Sequence, residues 1–317
     1  MLEIEPLHPD FGAHLHGIDL AGHLSTDQVA EIRAAIDTYS LLVFPGQDLD
    51  DDALLAFTRR LGEPEPEHVR LGRTGEVTYF GTVGNVRDDG TVDGQAHKNT
   101  HYQTGNQLWH SDSSFREVPS LVSITMAHEV PDEGGATEFV STRAAFERLP
   151  AAEQRKLELL SALHDYVFSR SQVAPVDPNH AASLPPVLHP LVRANPANGR
   201  KNLYIGSHTR CVFGPQAREA VVGGAATKGV HVGIDSQSDS MNLRPLPGTE
   251  SRRLLDDLMK KATRSQDIYS HQWKKGDIVI WDNRCLLHRG TPYNADRYRR
   301  RMRQTRVVGM ERGRLAG

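Results

Sequence analysis

The segment NQLWHSDSSF, residues 106–115, places a histidine and an aspartate two positions apart, between a tryptophan and a run of hydroxyl side chains. Residues two apart in an extended strand point to the same face, so His110 and Asp112 would present an imidazole and a carboxylate side by side. Together they supply two adjacent ligands for a metal ion. A mononuclear non-haem iron site of the two-histidine, one-carboxylate type needs one more imidazole and leaves its other positions open.

The third ligand must come from elsewhere in the chain, and His288 is the best-placed histidine. It follows the strand-like run GDIVIW and the polar turn DNRC, so a strand end would deliver its side chain to the mouth of a barrel. We therefore predict that His110, Asp112 and His288 bind one metal ion. The HxD pair is weak evidence by itself, because a chance pair is unsurprising among 16 histidines. His97 and His101 have a zinc-like i, i+4 spacing, but they lack the HExxH glutamate and are not predicted as ligands.

Two arginines downstream of His288 indicate what the site binds. Arg299 and Arg303 lie four residues apart within YRRRMRQTR, and four apart on a strand is again the same face. Guanidinium groups that point into a cavity are costly unless an anion meets them, and the planar arginine side chain fits a carboxylate through two hydrogen bonds. The sequence therefore predicts a pocket that binds anions.

These side chains must be positioned by a chain of 317 residues and 35.2 kDa, which is long enough to bury a sizeable core. No apolar run approaches the roughly 20 residues of a membrane span, and residues 1–10 lack the features of a signal peptide. A net charge of -3 favours no nucleic-acid partner. Two isolated cysteines, Cys211 and Cys285, suit a reducing compartment, so we expect free thiols in a cytoplasmic protein with no membrane partner.

Helices are predicted early in the chain and around a strand-rich centre. Ser25 and Gln28 form a capping box before apolar residues at helical spacing, which predicts a helix over about 26–38. Further helices are predicted over about 51–61, 142–148 and 150–160 and from about 249. The runs LVSITMAHEV, KNLYIG, QWKKGDIVIW and QTRVVGM are typical of strands. Because no regular βαβ alternation is present, the pattern favours an antiparallel barrel or sandwich with helices packed outside.

Three segments, NQLWHSDSSF, PDEGGATEF and WDNRCLLHRG, resemble in order and spacing the taurine dioxygenase and 2,4-dichlorophenoxyacetate dioxygenase (TauD/TfdA) family of Fe(II)- and 2-oxoglutarate-dependent oxygenases. The likeness covers most of the chain and is greater to the phenoxyacetate branch. It implies a single domain over residues 1–317, mainly β with flanking helices around a double-stranded β-helix (jelly roll, cupin-like) core. It also implies a lid loop at about 86–105. A segment at about 215–247 is longer than its counterpart there, and we interpret it as an insert.

The resemblance implies roles for particular residues. His110, Asp112 and His288 would bind Fe(II), and Thr137 and Arg299 would hold the distal carboxylate of 2-oxoglutarate. With O2, this co-substrate would be converted to succinate and CO2 while the substrate is hydroxylated.

The substrate side is implied in the same way. Arg303 would meet the anionic head of a small organic acid, and Asn106 and Trp109 would line the pocket, although a core role for Trp109 is equally favoured. An aryloxyalkanoate hydroxylated next to its ether oxygen, giving ether cleavage, is preferred to an alkylsulfonate or an amino-acid derivative. We expect a homo-oligomer, dimer or tetramer, as is common in the family.

Two interpretations from other classes remain open at this level. A zinc hydrolase could use the same two histidines and aspartate, but it would have no use for a 2-oxoglutarate clamp of Thr137 and Arg299. A non-catalytic barrel could bind a metabolite through its arginines, but an intact metal triad argues against that function.

Overall fold

The computed structural model describes residues 3–67, 77–215 and 243–309. Its strands are β1 Glu3–Pro6, β2 Ala13–His16, β3 Leu41–Phe44, β4 Gly81–Gly84, β5 Ser120–Glu129, β6 Thr137–Ser141, β7 Ser161–His164, β8 Val187–Pro190, β9 Val192–Ala194, β10 Lys201–Leu203, β11 Thr209–Pro215, β12 Leu243–Pro245, β13 Tyr269–His271, β14 Ile278–Asp282, β15 Leu286–Gly290 and β16 Arg301–Val308. Its α-helices are α1 Thr26–Tyr39, α2 Asp51–Leu61, α3 Lys98–Gln103, α4 Thr142–Glu147, α5 Ala151–Leu157, α6 Tyr166–Arg170, α7 Pro178–Ser183 and α8 Gly248–Ala262.

The largest sheet has seven strands in the order β1-β2-β3-β14-β5-β16-β4. All its pairs are antiparallel except β2 with β3. Side chains along its central strands alternate between two apolar clusters because successive residues of a strand face opposite sides. On β14, Ile278 and Ile280 face one cluster, whereas Val279 and Trp281 face the other. The sheet is therefore covered on both faces.

A smaller sheet, in the order β13-β6-β15, lies against one face of the large sheet. Phe139 and Leu286 from this sheet share a buried cluster with Leu41 and Trp281 from the large one. The next residues along the small sheet, such as Val140, face a third cluster that includes residues of α4 and α8. Two packed sheets, antiparallel apart from the β2–β3 pair, with helices outside confirm the predicted mainly β, jelly-roll fold.

Helices α1 and α2 cover the outer face of the large sheet, where Ile32, Leu54 and Phe57 are buried. The predicted capping box begins α1: the Ser25 hydroxyl accepts from the Gln28 backbone, and the Gln28 side chain accepts from the Ser25 backbone. The predicted helices over 51–61 and 142–148 are also confirmed within one residue. Local capping signals therefore identified these helices correctly.

Two predicted segments have different outcomes. The segment at about 86–105 is not a plain loop, because it contains α3 and a short bridge between Val86 and Val92. The predicted insert at about 215–247 lies outside the described residues except at its two ends. Among the described helices, none combines the length and apolar character needed to cross a bilayer.

Candidate active site

The two histidine ligands are brought together by backbone pairing. His110 forms an isolated antiparallel bridge with His288 of β15, with N–O distances of 3.0 and 2.8 Å. After His110 the chain does not continue as a strand: it turns, and Ser113 has a left-handed φ of 54°. The prediction of a strand through Asp112 was therefore wrong. The turn returns the Asp112 carboxylate towards the two rings.

The donor atoms of these residues fit a single metal ion. The Nε2 atoms of His110 and His288 each lie 3.7 Å from Oδ1 of Asp112, and one candidate ligand atom from each residue lies within 4.8 Å of the others. These separations are too long for hydrogen bonds but allow all three atoms to contact one ion. A donor set of two imidazoles and one carboxylate is the arrangement that leaves a face open in non-haem Fe(II) oxygenases.

The protonation states also suit metal binding. Burial lowers the pKa of His110, and burial together with nearby His110 lowers the pKa of His288 to about 3, so both rings are neutral. Burial alone would raise the pKa of Asp112, but the Arg306 guanidinium and the hydrogen bond from Ser123 lower it below the ordinary value, and protonation of His288 or His110 would lower it further. Asp112 is therefore ionised at neutral pH, as a metal ligand must be.

Neighbouring groups fix the ligands in place. His110 Nδ1 donates to the Leu108 carbonyl at 2.7 Å, which leaves Nε2 of the neutral ring as the free donor atom. The other carboxylate oxygen of Asp112, Oδ2, accepts from Ser123 Oγ at 2.6 Å and from Gln304 Nε2 at 3.1 Å. Asn283 also binds this group, because its side chain donates to Ser123 and accepts from the Asp112 backbone. Oδ1 is thereby directed at the metal position.

The three ligands line a cavity of about 320 Å³. Its walls combine aromatic rings with amides, hydroxyls and a few charged groups. The lining includes Glu67, Phe80, Thr82, Tyr102, Gln103, Asn106, Phe115, Thr125, Thr137, Tyr166, Arg170, His208, Trp273, Trp281, Tyr293, Arg300, Met302, Gln304 and Arg306. We call it the active-site cavity.

Thr137 lies in this cavity, but Arg299 does not. Arg299 is exposed and forms an ion pair with Glu129. Arg300 is the residue that enters the cavity, where it is buried and donates to the Gly135 and Val83 carbonyl oxygens at 3.3 Å each. Arg299 therefore lies outside the cavity in which the prediction placed it, and its neighbour Arg300 lines that cavity instead.

Arg303 also lies outside the active-site cavity. Its guanidinium forms ion pairs with Asp51 and Asp88 and lies over the Phe80 ring, with Cζ 4.8 Å from the ring centroid. The predicted contact of Arg303 with a substrate anion is thus not supported by its position. Four residues after Arg300, the residue that shares its inward face is Gln304, which binds Asp112. Neither Arg299 nor Arg303 lines the cavity.

Asn106 and Trp109 have different positions. Asn106 lines the cavity, and its Oδ1 accepts a hydrogen bond of 2.9 Å from Arg170. Trp109 packs against the third apolar cluster and under the Arg289 guanidinium, and it does not line the cavity. Its core interpretation therefore fits the structure, whereas its pocket interpretation does not.

Several cavity residues could not be identified from the sequence. Trp273 donates from Nε1 to Thr137 Oγ1 at 2.9 Å, although it lies 136 positions away in the chain. Arg170 belongs to the five-residue helix α6, which carries no recognisable motif. For Arg300, the signal was present as a neighbour of Arg299, but an unbroken run of three arginines does not show which one points inward.

A jelly-roll core that holds two histidines and one carboxylate around an open metal position defines the class of non-haem metal-dependent oxygenases. Comparison with known proteins gives the family. The family model for "Taurine catabolism dioxygenase TauD, TfdA family" matches residues 3–306. The chain belongs to this family, and it is an Fe(II)- and 2-oxoglutarate-dependent dioxygenase.

Individual relatives are similar over nearly the whole chain. The alpha-ketoglutarate-dependent 2,4-dichlorophenoxyacetate dioxygenase of Cupriavidus pinatubonensis is 37% identical, covering 95% of this chain and 96% of that protein. The (S)-phenoxypropionate/alpha-ketoglutarate-dioxygenase of Delftia acidovorans is 31% identical, covering 92% and 90%. The crystal structure of AAD-2 in complex with Mn(II) and N-oxalylglycine has a TM-score of 0.80 at 30% identity and covers 98% of both chains. The zinc hydrolase and non-catalytic interpretations are set aside.

Proposed function

We propose that this dioxygenase hydroxylates a small aryloxyalkanoate at the carbon next to its ether oxygen. Hydroxylation there gives a hemiacetal, which breaks down with cleavage of the ether, while 2-oxoglutarate and O2 yield succinate and CO2. The observation that carries the proposal is the convergence of His110, Asp112 and His288 on a cavity with aromatic walls and buried arginines. The relatives named for 2,4-dichlorophenoxyacetate and (S)-phenoxypropionate support the same substrate class.

His110, Asp112 and His288 would hold Fe(II), which with 2-oxoglutarate and O2 supplies the oxidising chemistry at that position. The protein residues orient this centre. Ser123 and Gln304 hold the Asp112 carboxylate by its second oxygen, and the Leu108 carbonyl fixes the His110 ring. Trp281 and Phe139 pack beside the His288 ring, with centroid distances of 4.8 and 6.0 Å, and exclude water from that side.

Arg300 and Thr137 are the residues we assign to the distal carboxylate of 2-oxoglutarate. Burial lowers the pKa of Arg300 to about 10, so it stays protonated at neutral pH. Its hydrogen-bond partners are carbonyl oxygens, and no described carboxylate lies within ion-pair distance of it. Because the Thr137 hydroxyl accepts from Trp273, its own proton remains available to a bound anion. A carboxylate would satisfy both groups.

The remaining walls suit an aryl ring. Phe115 and Tyr166 lie edge to face with a centroid distance of 4.8 Å, and Phe80 and Tyr102 also line the cavity. Aromatic rings attract one another in such offset and edge-to-face arrangements. An aryloxy group could therefore be held by apolar contacts while its acid head is directed at a cation.

The test is succinate release with Fe(II), 2-oxoglutarate and O2 across phenoxyacetates, 2-phenoxypropionates, alkylsulfonates and N-acylated amino acids. We expect substrate-dependent release with the phenoxy acids, accompanied by a stoichiometric phenol product. The Asp112→Ala variant, which lacks one ligand, serves as the control and should lose this turnover. Release with the sulfonates alone would contradict the assigned substrate class while leaving the reaction type intact.

A further inference from the structure

Arg170 is a second guanidinium of the active-site cavity, and the described residues offer its charge no counter-ion. Its Nη1 donates to the Tyr102 carbonyl at 3.4 Å and its Nη2 to Asn106 Oδ1 at 2.9 Å, whereas its buried Nε has no hydrogen-bond partner. Among the described residues no carboxylate lies within ion-pair distance of it. A partly buried guanidinium without an opposite charge nearby is more stable when an anionic ligand pairs with it.

Two other arginines near the cavity already form ion pairs with carboxylates of the protein. Arg306 lies between the buried carboxylates of Glu65 and Glu67 and forms ion pairs with both. Arg303 is held outside by Asp51 and Asp88. With Arg300 assigned to 2-oxoglutarate, Arg170 is the remaining cation of the described cavity wall that a second anion could neutralise.

The surroundings hold the Arg170 side chain in one position. Its Cζ lies 5.1 Å from the Tyr102 ring centroid and 5.8 Å from that of Tyr166, so cation–π contacts orient the guanidinium plane. The residue opposite is Gly105, where an added Cβ would overlap the Arg170 Nη1 atom. Glycine at this position is therefore required for the close approach of the guanidinium to the backbone.

Arg170 is also connected to the metal site. The preceding residue, Ser169, bonds His208 Nδ1 at 2.6 Å, and the His208 ring lies edge-on to the His110 ring with a centroid distance of 6.2 Å. Asn106, which holds Arg170, lies only four residues before His110. An acid bound at Arg170 would thus have its neighbouring carbon on the side of the cavity where the metal is held.

We propose that Arg170, and not an arginine of β16, binds the carboxylate of the organic substrate, with Gly105 and Asn106 positioning it. This inference rests on the proposed function, which supplies a second anion besides 2-oxoglutarate. Residues of α6 and of the segment around α3 would then select the substrate. Gln304, on the inward face of β16, would orient Asp112.

The test compares binding of phenoxyacetate with its neutral isostere phenoxyacetamide by equilibrium dialysis, in protein saturated with Mn(II) and N-oxalylglycine. Wild type should bind the anion more tightly, and Arg170→Leu should lose about 30-fold or more of phenoxyacetate affinity with little change for the amide. Arg170→Lys should lose less, because it keeps the charge but not the forked geometry. Gly105→Ala, which displaces an intact Arg170, should also lose most of the preference.

Arg299→Leu is the matched control, since Arg299 is exposed outside the cavity, and it should keep the wild-type preference. An Arg170→Leu protein that folds normally by circular dichroism but still prefers the anion would overturn the proposal. So would equal losses for N-oxalylglycine and phenoxyacetate, which would place Arg170 on the co-substrate.

If the proposed substrate class is wrong, the wild-type protein itself gives a different result. Wild type would then neither bind phenoxyacetate nor release succinate with it. The same comparison would be made with the acid that does support turnover, for example an alkylsulfonate against its sulfonamide. Loss of discrimination in Arg170→Leu on that pair would support the role of Arg170 as the anion contact, and unchanged discrimination would remove it.

Discussion

At the residue scale, the site depends on how each carboxylate oxygen of Asp112 is used. Oδ2 accepts hydrogen bonds from Ser123 and Gln304, and Oδ1 is left facing the two imidazoles. Such outer contacts fix the orientation of a ligand and raise metal affinity. The ligand residues themselves could be predicted from HxD and a later histidine. Ser123 could not be predicted, because its contact with Asp112 arises only when β5 packs beside the turn after His110.

Removing the Ser123 hydroxyl should therefore weaken metal binding. We expect Ser123→Ala to raise the dissociation constant for Fe(II) or Co(II) by about 10- to 100-fold, because the carboxylate loses its shorter hydrogen bond. Metal titration followed by tryptophan fluorescence would measure this change. Ser270→Ala, in an exposed position on β13, is the matched control. Identical metal affinities in the two variants would remove Ser123 from the site.

A second residue-scale prediction separates two neighbouring arginines. Arg300→Leu should raise the KM for 2-oxoglutarate by about 30-fold or more, since it removes a buried charge that pairs with the distal carboxylate. Arg299→Leu should leave that KM within about twofold, because its ion pair with Glu129 is exposed. Steady-state kinetics with varied 2-oxoglutarate measures both. A larger increase in this KM for Arg299→Leu than for Arg300→Leu would instead place Arg299 at the 2-oxoglutarate site.

At the scale of elements, β16 explains both what could be predicted and what could not. The period of two could not show which arginines of YRRRMRQTR face the cavity, because either face was compatible with a strand rich in arginine on both sides. Ion-pair partners far away in the sequence decide which side chains of β16 face inward. On the inward face, Arg306 meets Glu65 and Glu67, and on the outward face Arg303 meets Asp51 of α2. Helix ends were predicted better because capping is local.

The Arg306 cluster gives an element-scale prediction about stability. Arg306→Met should lower the free energy of unfolding by about 3–5 kcal/mol, since it leaves two buried carboxylates without their cation. Urea denaturation followed by circular dichroism measures the effect. Arg252→Met on α8, whose ion pair with Asp256 is exposed, is the control and should change stability by less than about 0.5 kcal/mol. Similar small changes in both variants would show that the cluster does not anchor β16.

At the scale of the whole molecule, two packed sheets bury one cluster between them and one on each outer side. The strand-like runs predicted a mainly β fold with helices outside. They could not predict that the bridge between His110 and His288 joins a loop to the small sheet, because the two residues lie far apart in the chain. The cysteines lie in unlike places in this layering: Cys285 is buried, whereas Cys211 is partly exposed.

Thiol reactivity should report this layering. Burial raises the pKa of the Cys285 thiol to about 12, so almost none of it is thiolate at pH 8. Burial also raises the pKa of the Cys211 thiol, but this side chain is partly exposed and a reagent can reach it. We expect a disulfide reagent to label only Cys211 in the native protein and both thiols in denaturant. Native Cys211→Ser protein should be unreactive at first. Rapid labelling of Cys285 in that variant would contradict the burial of this part of the sandwich.

One Fe(II) ion, held by His110, Asp112 and His288, would bind 2-oxoglutarate in the active-site cavity. The most direct test of this binding is an anaerobic titration of 2-oxoglutarate into the Fe(II)-loaded protein, followed by visible absorption. We expect a weak charge-transfer band that saturates at one equivalent of 2-oxoglutarate per bound iron and is absent from the Asp112→Ala protein. A colourless wild-type mixture at high protein concentration, or an undiminished band in Asp112→Ala, would contradict it.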